Sequence, residues 1–515
     1  MKRGFSLTGA LVVGVVSFAG PARATDAMRF PDNGTEQLGR GGAWVARATN
    51  PLATLYNPAA LATQETGVLL DVNGVFFKTC FTREGPGSNV TVGASGVAKY
   101  PTTCNSNSGT PSPLPSAAFV WRATDQLGIG LSVTPPSLYG HTEFPETVPL
   151  VYKSASGRDI STQVGSPQRY MLLKMDGIVL NQTLSAGYSL TDRLHLGAGF
   201  IWGVGSLSLQ SAAMSLPPDD QTQDDPTADI WARVKVADWF IPGFVIGGLY
   251  SPIDQLDIGL SITAQEALES HGDLTLKANY WTGDPRRPIG SNPTITESPG
   301  TTHFRLPNPF DVRLGVRFHL PRAERGTVRA AATGRAVRDP LVDDVFDIEL
   351  DGSYTRNRAY SAVMLRFPEV PPIPINGTGG VVPGNGDMAL NLEGDTFGVR
   401  LGGDYNVIPG RLAVRAGGWY EPSVQRARDL SVTLVASQRV GAAAGVTVRL
   451  GRFDLEAGYL HVFFAEQDNG GEGNVRAMSG KATAQPVPYR TPYPINGGRL
   501  TASANIVSLG ATMRF

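Results

Sequence analysis

From Gly67 onward the chain repeats one pattern: alternating apolar and polar residues, a short turn, then alternation again. Residues 395–420 show it most clearly. Phe397, Val399, Leu401 and Tyr405 fall on one face, and Arg400, Asp404 and Asn406 on the other. Ile408-Pro409-Gly410-Arg411 then turns the chain, and Leu412, Val414 and Ala416 resume the apolar face against Arg415. A period of two belongs to a β-strand, and a Pro-Gly turn between two such runs predicts a hairpin.

The same pattern predicts hairpins over 116–133, 180–205, 244–263 and 445–464, turning at 123–126, 191–193, 252–255 and 451–452. A looser pair joins 310–320 to 345–355 across about 24 residues. Between the pairs lie segments rich in Pro, Gly, Ser, Asn and Asp: 85–115, 137–168, 212–228, 275–302, 370–394, 422–436 and 467–499. Short and long connections therefore alternate strictly. A transmembrane barrel requires this, with tight turns at one end and long loops at the other. Adding a first strand near 67–84 and a last near 501–515 gives fourteen, an even number as a single-chain barrel needs. The predicted fold is all-β: a 14-stranded antiparallel transmembrane β-barrel.

The last strand carries a further signal. Val507, Leu509, Ala511, Met513 and the terminal Phe515 share one face, opposite Ser508, Gly510, Thr512 and Arg514. A C-terminal aromatic closing an alternating strand resembles the signal read by the bacterial barrel assembly machinery, an expected partner. Aromatics near strand ends (Trp121, Tyr188, Trp202, Tyr250, Phe318, Tyr405, Trp419, Tyr420 and Phe463) fit interfacial girdles or ordinary sheet packing.

The N-terminus places this barrel in an exported chain. Lys2 and Arg3 precede an apolar run from about Leu7 to Ala19, followed by Ala22-Arg23-Ala24. That is the layout of a secretory signal over 1–24, and the run is short for a permanent membrane helix. No later segment has 18 consecutive apolar residues. Losing 1–24 takes Lys2, Arg3 and Arg23 from the 44 basic residues and none from the 45 acidic ones, so nothing points to nucleic acid. Cys80 and Cys104, 24 positions apart in an exported chain, suggest a disulfide. Its loop closure contributes about 3 kcal/mol; two free thiols are the alternative.

Ahead of the first strand, residues 33–63 read NGTEQLGRGGAWVARATNPLATLYNPAALAT. This stretch resembles the N-terminal plug of the FadL-type long-chain fatty acid and hydrocarbon transporters, at Leu38-Gly39-Arg40, Gly41-Gly42-Ala43 and Asn57-Pro58-Ala59. Residues 180–200 and 247–262 resemble that family's fourth-to-fifth and sixth-to-seventh strand hairpins, and Leu306-Pro307 its lead-in to the eighth strand. The resemblance implies a plug over 25–66 inside a barrel over 67–515, in the bacterial outer membrane and in contact with its lipid. It also implies a monomer, and uptake of a hydrophobic small molecule by passive, plug-gated diffusion. Two features depart from the pattern: the loops are long and Pro-rich, and 321–342 is long for a periplasmic turn.

The family releases ligand sideways through a kink in strand three. Here strand three carries Pro135 and Pro136, which cannot complete a ladder, so Thr134, Pro135, Pro136 and Ser137 are the candidate lateral gate. Alternatively, the prolines end the strand at the outer rim. A carboxylate-bearing ligand wants lumen cations, and Arg313, Arg317, Arg400 and Arg415 lie on the polar faces of their strands. They also fit ion pairs with lumen acids such as Asp311, Asp404 and Glu456, and Arg40 and Arg47 fit ion pairs from plug to wall. The six histidines show no metal-ligand spacing, and there is neither a nucleophile elbow nor a phosphate loop. No cofactor, metal or catalytic residue is expected. The rival readings are a general porin, a structural barrel and, least favoured, a barrel enzyme.

Overall fold

The computed structural model describes residues 32–515 apart from 93–95, 136–139, 155, 215–222, 225, 285, 309, 323–336, 358–361, 367–380, 383–385, 390–393, 477–480 and 483–492. The expected signal segment, 1–24, lies outside the described residues.

Alternation becomes fourteen strands. They are β1 (Gly67–Arg83), β2 (Ser112–Arg122), β3 (Leu127–Thr134), β4 (Lys174–Ser189), β5 (Leu194–Ala213), β6 (Ile230–Ile253) and β7 (Leu256–Gln265). The second half comprises β8 (Asp311–Pro321), β9 (Asp344–Thr355), β10 (Thr396–Ile408), β11 (Leu412–Glu421), β12 (Arg439–Leu450), β13 (Phe453–Phe464) and β14 (Gly498–Arg514). Each pairs antiparallel with its sequence neighbour, and β14 returns to β1 over the full register Gly67↔Arg514 to Arg83↔Gly498. Closure joins the last strand to the first and so removes the two free edges of an open sheet, the condition for a sheet in lipid.

The apolar face of each strand points outward. On β10, Phe397, Val399, Leu401 and Tyr405 are exposed, while Arg400, Asp404 and Asn406 are buried inside. Such a continuous apolar exterior is what a barrel presents to lipid. Most of the strand-end aromatics follow the same rule. Trp419 is the exception: it faces the lumen, buried, under the guanidinium of Arg439 at 5.5 Å.

Two expectations about the connections are corrected. Segment 275–302, read as loop, contains strand: Leu268–Ala278 pairs with Thr294–Leu306, and 273–277 extends the wall by pairing with 231–235 of β6. Segment 137–168 likewise holds the hairpin Thr147–Lys153 with Asp159–Gly165. These strands lie beyond the roughly 9–11 residues a bilayer requires, and the apolar residues of the first pair, such as Leu274, Leu276 and Leu306, turn inward into a buried cluster instead of outward to lipid. The β8–β9 connection is explained by its contacts. Its described end, 337–343, packs below the lumen: Arg338 N donates to Thr63 O (2.9 Å), Gly410 N to Leu341 O (2.8 Å), and Arg449 pairs with Asp339 (2.6 Å).

At the loop end, Cys80 and Cys104 face each other across β1 and Thr103–Cys104 and are joined as a disulfide.

Candidate functional site

Residues 32–66 thread through the lumen. Helices α1 (Thr35–Gly39) and α2 (Ala53–Tyr56) and a 3-10 turn, Pro58–Thr63, are all short, and almost every residue is buried. Too little chain is helical to be stable alone; the segment is held by the wall.

Asn57-Pro58-Ala59 shows how. The Asn57 carbonyl oxygen Oδ1 accepts from Ala59 N (3.3 Å), capping the 3-10 turn, and its Nδ2 donates to Val45 O (2.9 Å) and Gly248 O of β6 (3.0 Å). Beneath it the wall is bare. Gly128, Gly187, Gly197 and Gly247 form one perimeter row across β3, β4, β5 and β6. A Cβ at Gly197 would stand 2.3 Å from the Pro58 carbonyl carbon, one at Gly187 2.3 Å from Pro58 O, and one at Gly128 2.1 Å from Leu61 O. Trp44, Leu52, Tyr56 and Leu61 complete the apolar seat with Leu69, Val120 and Leu249 of the wall.

Leu38-Gly39-Arg40 meets the opposite wall. Leu38 packs with Leu460, Val462 and Ile506. The Arg40 carbonyl sits over Gly402 and Gly417, where a Cβ would come within 2.2 and 2.1 Å. Gly41 and Gly42 then take φ of 64° and 77°, a region that only glycine adopts freely. The Arg40 guanidinium bonds Asp347 at 2.7 Å and reaches Asp404 and Glu349. Arg47 bonds Asp347, Asp404 (3.1 Å) and Glu36 (2.8 Å). Backbone amides of Trp44 and Val45 donate to Asp351, and that of Ala46 donates to Glu349 at 2.7 Å. Burial pushes the Glu36 carboxyl up, but Arg47, Arg415 and Arg40 outweigh it and hold it down at about 2. Asp347, Glu349 and Asp351 went unremarked in the sequence, although three acids at alternate positions on one strand were a readable signal of a charged lumen wall.

Each of the four lumen arginines already holds protein carboxylates. Arg313 bonds Asp311 (3.0 Å) and Asp32 (3.3 Å). Arg317 bonds Asp257 (3.1 Å), Asp344 and Asp347. Arg400 bonds Glu421 (3.2 Å) and Asp32, and Arg415 pairs with Asp404 (3.3 Å).

Around strand three the ladder changes. β3 pairs with β2 as far as Ala117↔Val133, and with β4 as far as Asn181↔Thr134. Among the described residues, contact along β4 is next seen where Gly177 N donates to Gly140 O (3.3 Å), followed by Asp176↔His141; residues 136–139 between lie outside the described residues. Among the described residues no strand faces Ile178–Leu180 of β4 on that side. Thr134 ends β3; Pro135 is buried, and its carbonyl accepts from Asn33 of the plug at 3.0 Å. Pro136 and Ser137 lie outside the described residues. On the lumen face of this stretch of β4, Val179 belongs to a buried apolar cluster with Leu207, Val236, Ile241, Leu268 and Phe304.

A second apolar cluster roofs the lumen, including Phe81, Phe144, Leu172, Trp231, Trp281 and Leu430. Four loops meet above it through buried ion pairs. Arg169 bonds Asp224 and Asp229 (2.8 and 2.7 Å), and Arg83 bonds Asp224 (2.9 Å) among the rings of Tyr100, Tyr170 and Tyr493.

No protein-family model matches the sequence, and no curated protein sequence does. Solved structures match over the whole length. A Pseudomonas aeruginosa FadL homologue aligns at TM-score 0.63 and 17% identity, over 95% of this chain and 99% of that one. The toluene transporters TodX of P. putida and TbuX of Ralstonia pickettii align at TM-scores 0.55 and 0.54, with 14% and 13% identity. Each of those alignments covers 94% of this chain and 98% of the other. Identity this low speaks to architecture, and the architecture agrees throughout: this chain is a 14-stranded β-barrel with the FadL-type fold.

Proposed function

We propose that the protein takes up hydrophobic small molecules, long-chain fatty acids or related hydrocarbons, by passive diffusion gated by the plug, with lateral release at β3. One observation carries the reading. Val179 of the upper lumen's apolar cluster lies on β4 just past its last pair with β3, Asn181↔Thr134, and we place the break in the wall there. A greasy molecule entering under the roof meets apolar side chains as far as that break, and a short sideways step there brings it into lipid. The segment 32–66 fills the lumen below, which supports a gated barrel over an open pore. The solved structures of similar fold are described as a FadL homologue and toluene transporters, which supports the same substrate class. In this reading residues 1–24 are a signal, 25–66 the plug and 67–515 the barrel, and the unit is a monomer folded by the barrel assembly machinery.

The test is uptake of labelled oleate and labelled toluene by a deletion strain carrying the gene or an empty vector. Uptake of either above the vector control supports the reading. Flux of sugars into proteoliposomes without uptake of either hydrophobe favours a general porin and sinks it. A variant with Pro135 and Pro136 replaced by Val and Thr, which allow the ladder to continue, tests the lateral step; unchanged uptake overturns it.

A further inference from the structure

We infer that residues 337–343 of the β8–β9 connection are a clasp for the plug. They fix its C-terminal turn to the periplasmic end of the wall, so the plug gates by lifting its first half about a held end and does not leave the barrel as one body. The inference rests on the plug-gated uptake reading above and specifies which part of the plug moves.

Three observations lead to it. First, this connection is built unlike a loop. A chain joining two strands ordinarily lies exposed on the surface, yet Val337, Asp339 and Leu341 are buried. It closes one helical turn over Pro340–Asp343, with Asp343 N donating to Asp339 O (2.8 Å) and Asp339 N to the Asp343 carboxylate (2.9 Å).

Second, it is tied to the wall on both flanks and to the plug between them. Toward β6 and β7, Arg338 donates to the Ser251 hydroxyl (2.7 Å) and pairs with Asp257 (3.4 Å). Toward β10 and β12, the Asn406 amide donates to Pro340 O (2.6 Å), and Arg449 holds both carboxylate oxygens of Asp339 (2.6 and 3.1 Å). Between these ties, Arg338 N donates to the carbonyl of Thr63, the last residue of the plug's 3-10 turn (2.9 Å). The residues that follow are bound to the wall as well: Arg122 of β2 donates to Gln64 O (3.2 Å), and Phe515 N to Thr66 O (2.9 Å). Anchored to the ladder from β6 round to β12, the connection serves the plug as a fixed point.

Third, the two halves of the plug differ in what lifting them exposes. The buried side-chain polar atoms of the plug that have no hydrogen-bond partner are Asn33 Oδ1, Gln37 Oε1 and Trp44 Nε1 among the described residues, all within 32–47. An unpaired buried polar atom carries a desolvation penalty that contact with water relieves. The same half meets the wall chiefly through the ionic groups of Arg40 and Arg47, which water also solvates. The second half instead seats Leu52, Ala53, Ala59, Ala60 and Leu61 in an apolar cluster with the wall, surface that water disfavours.

Hydrogen exchange of the intact purified protein in neutral detergent, read by mass spectrometry on plug peptides, supplies the test. Arg338→Met with Asp339→Ala removes both side-chain ties of the clasp. Amides over 59–66 are then expected to exchange on the order of tenfold faster, and those over 33–42 at the native rate. Arg40→Met, with the clasp intact, is expected to give the reverse: faster exchange over 33–42 and native exchange over 59–66. Folding of each variant is checked by its heat-modifiable migration on a gel, and the Arg40→Met arm decides the matter even where the double variant does not fold. Faster exchange in both halves of either variant makes the plug one cooperative body and overturns the clasp, as does native exchange over 59–66 in the folded double variant. The uptake reading is judged separately, by labelled-hydrophobe uptake through the native protein, so its failure and that of the clasp are told apart.

Discussion

The side-chain amide of Asn33 donates a 3.0 Å hydrogen bond to the carbonyl oxygen of Pro135, joining the start of the plug to the residue where strand three stops pairing. Two neighbouring contacts pin the same stretch to the strands on the other side of the barrel seam. Asn73 of β1 donates to Asp32 O (3.1 Å), and the hydroxyls of Thr35 and Ser508 of β14 lie 2.7 Å apart. The first residues of the plug therefore bridge the break and the seam. In the proposed route, withdrawal of this stretch frees the Pro135 carbonyl and unblocks the lumen side of the break in one movement.

Asn33→Ala removes the bridge and leaves the carbonyl of Pro135 buried without its donor. A buried hydrogen bond contributes about 1 kcal/mol, so the population with a displaced plug start should rise about fivefold. Faster uptake of a labelled hydrophobe, with the melting temperature nearly unchanged, is the expected result. Slower uptake would mean that the contact holds the route open.

The glycine row offers a sharper perturbation of the plug. Gly197→Ala adds a methyl that cannot coexist with Pro58 at 2.3 Å, and the wall strand has no freedom to retreat because it is paired on both sides. The plug should yield, at a cost of about 1–3 kcal/mol, as overpacking usually brings. The expected outcome is raised single-channel conductance in planar bilayers with barrel folding intact. Gly248→Ala is the matched control: it follows Gly247, the row member paired with Gly197, but faces outward, with only a Leu196 methyl, at 3.8 Å, near its added carbon.

These contacts also mark what could be read from the chain. Strand positions were legible because lipid on one side and a polar lumen on the other impose a strict period of two, as on β10 and β14. The plug was legible through Asn57-Pro58, which cannot join a ladder. The seat beneath it was not, because Gly128, Gly187, Gly197 and Gly247 reveal their purpose only once register aligns them. The pairing of Arg40 with Asp404, 364 positions away, is a property of barrel closure and has no local signature. Past the membrane, Leu268–Ala278 and Thr294–Leu306 were missed because their apolar residues turn inward into the cluster around Val179, the reverse of the lipid-facing wall, and a register shift at Gly272/Leu274 interrupts the alternation.

Arg40→Met tests the charged side of the plug. The guanidinium is fully buried against Asp347, Asp404 and Glu349, and methionine fills similar space with no charge. Removing one partner of a buried ionic network typically costs about 3–5 kcal/mol, here drawn from plug docking because the barrel ladder is untouched. Limited proteolysis should cut the 32–66 segment at much lower protease concentration than in the native protein. Asp404→Asn alone should have a smaller effect, since Arg40 and Arg47 both keep Asp347.

The pH dependence of the plug follows from Glu36. Buried among Arg47, Arg415 and Arg40, its carboxyl is held at about 2, below its ordinary 4.5. A depressed acid pKa contributes stability that is fully present above the unfolded value and is lost as pH falls toward the folded one. Docking of the plug should therefore be insensitive to pH from 7 down to about 4.5, then weaken progressively toward 2. In planar bilayers the conductance is expected to stay low over the first range and to climb over the second. Glu36→Gln removes the titrating charge and leaves Arg47 with the acids of β9 and β10 alone, so it should raise conductance at neutral pH and flatten the acid response. An acid response identical in Glu36→Gln and native protein would assign the effect to the wall acids instead.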